Sequence, residues 1–447
     1  MRNLFLRRFR AGRLITLVAV ITVGGLLSAV PASAGEAGPA VHSSAAGGLA
    51  AGSPAAAGAG ASADPVVPAS DATSGGGPAS GGPGTANCRN HAVTSNFHEH
   101  QRAGEAILPL EQLPASAVSV PTWSGSFTSG GTAYPFTMVG TDPAAGQATH
   151  VPVEIIPLRL DFAGNGCVLE DSGMAADIEA SPLFTPARLR TGVTQWLDEY
   201  QRSNFWSTVS TTSPGYHLIL DPSDIPAVTM HVPAAQGIVV FDPTINRTEG
   251  FVDQDWFYLQ LHGLLSSLHV SPTTLAAFVP YNTFVTVGNP NGCFRPPYCA
   301  YAGGFHYAFP SDNNPHAINT FAYATYLDLG TASPYDWGAY VLSHEILEWA
   351  ANPFDHGTLI QGQAAFLSNT APAWSSPYFN DPAPGACTTV LEVADPLEDG
   401  IAFYVPPDQH TLADGAFLSW FARQSPSTAI GGRYDMGGIF STYSTAC

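Results

Sequence analysis

Residues 341–353, Val-Leu-Ser-His-Glu-Ile-Leu-Glu-Trp-Ala-Ala-Asn-Pro, carry three ionisable groups on an otherwise apolar stretch. The stretch reads as one buried helix, with Ser333 as N-cap, Pro334 as first helical residue and Asn352-Pro353 as its stop. At about 100° per residue, Glu348 falls about 40° and Glu345 about 100° from His344, so the three share one arc. Trp337 and Val341 lie within that arc, while Leu342, Ile346, Leu347, Trp349 and Ala350 cover the other sides, as in a helix packed all round. A buried carboxylate without a partner is costly, and a divalent metal is one partner that removes the cost.

His344-Glu345-Ile346-Leu347-Glu348 is an HExxE pattern, one residue from the HExxH of zinc peptidases. Residues i and i+4 project from adjacent turns and reach one ion, while the intervening Glu faces metal-activated water as general base. Glu348 supplies oxygen where HExxH supplies nitrogen, which adds negative charge and lowers Lewis acidity. A second acidic constellation follows at Glu392-Val393-Ala394-Asp395-Pro396. On a strand Glu392 and Val393 would point oppositely, so one carboxylate can be aimed inward while Asp395 starts the next turn.

The chain opens with a secretory signal over residues 1–34: five arginines precede the apolar run 14–30, and Ala32-Ser33-Ala34 supplies the cleavage pattern. No later stretch is long and apolar enough to span a bilayer, so no stable membrane span is expected after cleavage. Residues 35–86 are Ala, Gly, Ser and Pro with few large apolar side chains, a disordered low-complexity tether. Residues 87–447 then form one folded domain, with room for two lobes.

Loss of the signal removes five arginines and no acids, taking the formal charge from −20 to −25. The absence of lysine and the ten scattered arginines left argue against nucleic acid and anionic membrane surfaces as partners. Six cysteines in an exported chain predict disulfides. Cys293 and Cys299 are the expected local pair, and Cys447 is expected to tie the C-terminus to an earlier segment.

Periodicity predicts a hairpin over 122–139 around Ser129-Gly130-Gly131-Thr132, a strand over 150–162 and a helix over 186–206. Short strands are expected at 216–220, 227–231 and 237–241, a helix at 253–268, strands at 275–287 and 316–328, a strand at 388–393 and a helix at 410–421. Strands and helices mix without regular alternation, which is the α+β class. The aromatic face of 195–206, with Trp196, Tyr200, Phe205 and Trp206, is expected in the core rather than in a cleft.

Ser343-His344-Glu345-x-x-Glu348-Trp349-x-x-Asn352-Pro353, followed by Leu391-Glu392-Val393-x-Asp395-Pro396, resembles secreted zincin-like proteins of the phosphate-induced or Exordium-like kind and their bacterial relatives. Thr194-Gln195-x-x-Asp198-x-x-Gln201-Arg202-x-x-Phe205-Trp206 and Gly304-Phe305-His306 fit the same pattern, whereas Ala394 stands where glycine is usual. The resemblance implies a zincin-like domain with an active-site helix and mixed sheet. It implies Zn²⁺ held by His344, Glu348 and Glu392, with Asp395 behind Glu392 or in its place, and Glu345 as general base. His306 is an alternative ligand or a group that polarises a substrate carbonyl, and Asp355 and His356 compete as ligands beyond the helix. The expected function is a secreted zinc-dependent peptidase acting on peptide or protein. The alternative is a non-catalytic extracellular or cell-wall module in which the same residues form a structural metal site or a buried polar cluster. A carbohydrate-active enzyme using paired carboxylates fits less well, because the acids sit with a histidine at metal spacing.

Overall fold

Ala148–Phe162 is a 15-residue strand whose alternating side chains feed two different cores. The computed structural model describes residues 118–447 except 243–246, 287, 293–300, 313, 331–334, 356–367, 377–386, 398–402, 405–409 and 445–446. All described residues belong to one compact unit, and Leu26–Gly81, assigned to a second, lie outside them. The expected signal and tether therefore also lie outside the described residues.

The architecture is mixed α+β, a curled sheet with few helices. The long strand runs parallel to His217–Asp224, Val228–Val232 and Leu275–Pro280, and antiparallel to Cys167–Leu169. Leu275–Pro280 is also parallel to Asn314–Ala324, which pairs antiparallel with Gly304–Ser311 at the end of the sheet. A second sheet takes Tyr301–Ala302, Thr283–Thr286, Arg247–Asp253 and Gly237–Asp242 in that order.

Side-chain size differs between the faces of the main sheet. Ile156, Leu158, Phe278, Phe305, Tyr307, Phe309, Phe321 and Tyr323 fill one face together with Phe257, Tyr258 and Leu261 of the helix Gln254–Ser267. The opposite face presents Val153, Ile155, Ala277, Ala322 and Ala324 to the core around the helix Tyr340–Ala351. Alanines on that face let the central helix pack against Gly304–Ser311 and Asn314–Ala324. All twelve of its residues are buried.

The hairpin, long strand and helix Gln254–Ser267 lie where periodicity predicts them, the last capped by Asp253, whose Oδ1 accepts from Trp256 N at 2.9 Å. Several expectations need correction. The helix over 186–206 starts only at Trp196 and runs to Asn204, with Trp206 opening a short helix Trp206–Val209, because Gly192 at φ +145° and the Leu189 N to Gly192 O bond of 2.7 Å turn the preceding residues into a hairpin of Ala187–Arg188 and Val193–Thr194. The expected strand 275–287 breaks at Tyr281-Asn282, with Asn282 at φ +39°, and its halves join different sheets. The central helix begins at Tyr340, so Trp337 lies before it, bridged to Leu327, and Ser333 and Pro334 lie outside the described residues. Only Leu418–Phe421 of 410–421 is helical, since the Asp414 carboxylate takes the N–H groups of Gly415, Met436 and Gly437 and holds that run open.

Cys387 and Cys447 form a disulfide that ties the C-terminus to an earlier segment, as expected. Cys167 is also disulfide-bonded, and Cys293 and Cys299 lie outside the described residues. No helix among the described residues is long and apolar enough to cross a membrane.

Candidate metal centre

The central helix is fixed at both ends by polar side chains. Near its start, Ser343 Oγ donates to Tyr340 O at 2.7 Å and accepts from Ala413 N at 2.8 Å. Farther along, Trp349 Nε1 donates to Thr320 Oγ1 of the sheet at 3.0 Å. At its C-terminus Asn352 N caps Glu348 O at 2.7 Å, Asn352 Oδ1 accepts from Asn369 N at 2.8 Å, and Asn352 Nδ2 reaches Glu392 Oε1 at 3.5 Å. Asn352 therefore does more than stop the helix: it links it to the segment carrying Glu392. Asn369, which sequence reading missed, also donates to Thr137 O at 2.7 Å and fastens this junction to the hairpin.

His344, Glu345 and Glu348 point from the helix into one buried space, where His306, Glu392 and Asp395 meet them. His344 Nε2 lies 3.2 Å from Glu348 Oε2 and 3.3 Å from Asp395 Oδ1. Ligand atoms about 2.0–2.1 Å from a tetrahedral ion are separated by about 3.3 Å, so each pair taken alone has the spacing of two ligands on one ion, although Asp395 is in neither of the two groups here whose three ligand atoms all lie within 4.8 Å of one another. His306 Nδ1 stands 3.4 Å from Glu345 Oε2 and 3.9 Å from Glu348 Oε2, while His306 Nε2 stands 4.0 Å from Glu392 Oε2. Glu348 is common to two clusters whose ligand atoms all lie within 4.8 Å of one another, His344-Glu345-Glu348 and His306-Glu348-Glu392. These buried His and Glu groups are able to hold a metal ion.

Glu348 is oriented by backbone. Its Oε1 accepts from Ala394 N at 3.2 Å and Asp395 N at 3.1 Å, leaving Oε2 toward the two imidazoles. Ala394 does not adopt a positive φ, so alanine is tolerated at this turn in place of glycine. Glu392 lies just beyond the strand Thr388–Val390 rather than on it, and Asp395 opens a single 3₁₀ turn. The strand-alternation argument for Glu392 therefore does not apply; its orientation comes from Asn352 and the turn.

His306 also differs from expectation. It lies on the strand Gly304–Ser311, not in a Gly-rich loop, opposite Ala322. The signal was legible in the alternation Phe305-x-Tyr307-x-Phe309, whose aromatic members enter the far core and leave His306 and Ala308 toward the helix. Asp355 is buried beside the group and accepts from Ser368 Oγ, whereas His356 lies outside the described residues.

Electrostatics test whether this donor set suits a cation. His306, Glu345 and Glu348 are 0% exposed, His344 1%, Glu392 4% and Asp395 5%, so four carboxylates face two imidazoles out of water. Burial, then the charges of Glu348, Asp355, Asp395 and Glu345, push the Glu392 carboxyl well above the usual carboxylate range. For His306, burial opposes the charged form, but the hydrogen bond and charge of Glu345, followed by Glu348 and Asp355, outweigh it and raise its pKa. His306 Nε2, Glu345 Oε1, Glu348 Oε2 and Glu392 Oε2 have no hydrogen-bond partner among the described residues. Buried polar atoms are normally satisfied, and a divalent cation satisfies several at once while cancelling the excess negative charge. The residues fit such a group.

Of the aromatic face of 195–206, Trp196 and Tyr200 are buried, while Phe205 and Trp206 are half-buried against the core. Trp196 donates to Ala413 O at 2.9 Å and Tyr200 to Ala416 O at 2.8 Å, and both are buried. Comparison of the chain with family models, with curated proteins and with solved structures finds no match in any of the three.

Proposed function

We propose that this chain is a secreted zinc metalloprotein of the zincin-like type, arranged for hydrolysis of peptide bonds. The observation that carries the reading is the placement of His344 Nε2 at 3.2 Å from Glu348 Oε2 and 3.3 Å from Asp395 Oδ1 in a space lined by more carboxylates than imidazoles. His344 and Glu348 would hold the ion together with a carboxylate of the 392–395 turn. Zinc in such a site supplies Lewis acidity toward a carbonyl and an acidified water, an effect that a carboxylate-rich donor set weakens. Glu345 is the general base: Oε2 is held by His306 Nδ1 at 3.4 Å, and Oε1 is left to take up a proton. His306 orients that carboxylate and, with its raised pKa, stabilises its charge. Export is supported by the arginine-led apolar start of the sequence and by the Cys387–Cys447 disulfide.

The complete burial of these residues favours a second reading, a non-catalytic extracellular or cell-wall module with a structural metal site. One experiment separates the two. The secreted full chain is purified, its metal content measured, and wild type compared with Glu345→Ala and Glu348→Ala on a broad peptide library. Near-stoichiometric zinc lost in Glu348→Ala, with cleavage but not zinc lost in Glu345→Ala, supports the peptidase. Zinc without cleavage selects the structural module, and absence of metal under zinc-replete conditions overturns both.

A further inference from the structure

On another part of the molecule, the turn of the hairpin Ala187–Arg188 and Val193–Thr194 stands over the first residues of the helix Trp196–Asn204 and encloses a half-open cavity of about 280 Å³. Arg188 and Arg190 line it with Glu199 and Asp414, and Trp196, Leu189 and Met436 supply an apolar wall. We propose that this cavity is a binding site for a small carboxylate with an apolar body, a free acid or the C-terminal residue of a peptide.

The acids beside the cavity already have hydrogen bonds to their oxygens. Glu199 Oε2 accepts from Thr191 N at 2.9 Å and Thr191 Oγ1 at 2.5 Å, and its Oε1 accepts from Ser203 Oγ at 3.3 Å. These bonds fasten the hairpin tip to the helix and so position Arg190. Asp414 receives three backbone N–H groups at 2.7–2.9 Å and lies against Asp435. Burial first, and Asp435 next, raise its pKa well above the ordinary range, while Glu199, Asp414 and Asp435 all draw on the Arg190 charge from a distance without bonding to it.

The side chains of Arg188 and Arg190, by contrast, form no hydrogen bond and no ion pair among the described residues. Arg433 is near enough to Arg190 that, after burial, its charge is the next cause lowering the Arg190 pKa, and Arg433 itself is tethered to the carbonyls of Met436 and Gly437 at 3.3 and 3.2 Å. Three of the ten arginines beyond the signal thus converge here, in a chain of strongly negative charge. Both side chains are exposed and their forks are bonded to no protein group among the described residues, so they are free to turn to an oxyanion entering the cavity, and the planar fork matches a carboxylate through two parallel bonds. The apolar wall and limited volume favour a ligand with one hydrophobic side chain over a large polyanion.

The site does not depend on the metal reading. Its test is calorimetric titration of the full chain at low ionic strength with N-acetyl-leucine, N-acetyl-leucine amide, a short peptide with a free C-terminus and inorganic phosphate, repeated on Arg188→Gln/Arg190→Gln with thermal melting to confirm folding. The expected result is saturable binding of N-acetyl-leucine, weakened at least about tenfold in the double variant and absent for the amide. Equally tight binding of the peptide assigns the site to chain termini, and binding of the free acid alone assigns it to small acids; both support the proposal. Equal binding of acid and amide, retention of affinity in the folded double variant, binding of phosphate but not N-acetyl-leucine, or no binding of any probe overturns it. If the double variant does not fold, Arg190→Lys serves instead, with a weakened carboxylate response expected and an unchanged one counting against the site.

Discussion

Gly304 lies directly against Glu345: a Cβ placed on Gly304 would come within 2.8 Å of Glu345 Cγ and 2.9 Å of Cδ. The strand can approach the helix this closely only because position 304 lacks a side chain, and that approach brings His306, two residues on, to the Glu345 carboxylate. Gly304→Ala is therefore expected to push Glu345 away while leaving His344 and Glu348 in place. Overpacking of this kind costs about 1–3 kcal/mol. On the peptidase reading, zinc content stays near wild type and cleavage falls at least about tenfold. Unchanged cleavage by a folded Gly304→Ala would remove Glu345 from the role of base.

Chelation gives a test independent of activity. With the cation gone, the buried carboxylates must take up protons or repel one another, so an EDTA-treated sample is expected to melt at lower temperature and to recover with added zinc. The shift should grow as pH rises, because uptake of compensating protons becomes harder. Identical melting curves before and after complete metal removal would show that the cluster is stabilised by protons alone.

A second buried group predicts pH dependence away from the centre. Asp177 accepts from Tyr326 Oη at 2.9 Å and lies against Asp336, which meets His410 Nδ1 at 2.7 Å. Burial, then the charge of Asp336, push the Asp177 carboxyl up to about 6 from 3.8. Burial also acts upward on Asp336, but hydrogen bonds from His410 and Gly338 N–H outweigh it and lower its pKa. A raised carboxyl favours folding when protonated, so the Asp177 contribution is full below about 3.8 and is lost as pH rises through about 6. The Asp336 contribution has the opposite sign and is lost as pH falls below the ordinary carboxylate range. Between pH 4 and 7 the loss of the Asp177 contribution sets the direction, and Asp177→Asn should flatten the decline in melting temperature relative to wild type. Parallel curves would count against a shared proton at this contact.

The disulfide closes a sequence separation of 60 residues. Loop-closure entropy for that length is about 4 kcal/mol, and Cys447→Ser should lower unfolding free energy by roughly 2–4 kcal/mol in denaturant titrations. A loss well under about 1 kcal/mol would mean that the unfolded chain is little constrained by this link.

The central helix and its three ionisable residues were legible because helical period and composition are local properties, and twelve consecutive buried residues carry them plainly. Pairing partners were less so. The expected strand 275–287 is apolar on both sides of Pro280-Tyr281-Asn282-Thr283, yet Asn282 turns it between two sheets, a choice made by partners distant in sequence. His306 carried a strand signal in the alternation Phe305-x-Tyr307-x-Phe309, but the Gly303-Gly304 pair before it reads as a loop and masks that signal. The helix expected over 186–206 failed at Gly192, where a positive φ and a side-chain anchor from Thr191 to Glu199 made a hairpin that a three-to-four spacing of apolar residues cannot reveal.

The two carboxylates of the 392–395 turn make different predictions for the third ligand. Glu392 Oε2 is nearest to His306 Nε2, at 4.0 Å, and its other oxygen is taken by Asn352 Nδ2 at 3.5 Å. Asp395 Oδ1 stands 3.3 Å from His344 Nε2, close to the edge of about 3.3 Å expected of two ligands on one tetrahedral zinc. Glu348 reinforces the distinction, because its Oε1 holds the backbone N–H of Asp395 and so fixes that residue to the helix that carries His344. Asp395→Asn, nearly isosteric and neutral, should therefore weaken zinc binding at least about tenfold in competition with a chelating dye, whereas Glu392→Gln should retain it. The reverse order would place the ion in the His306-Glu348-Glu392 cluster instead, and with it would move His306 from holding the base to holding the metal.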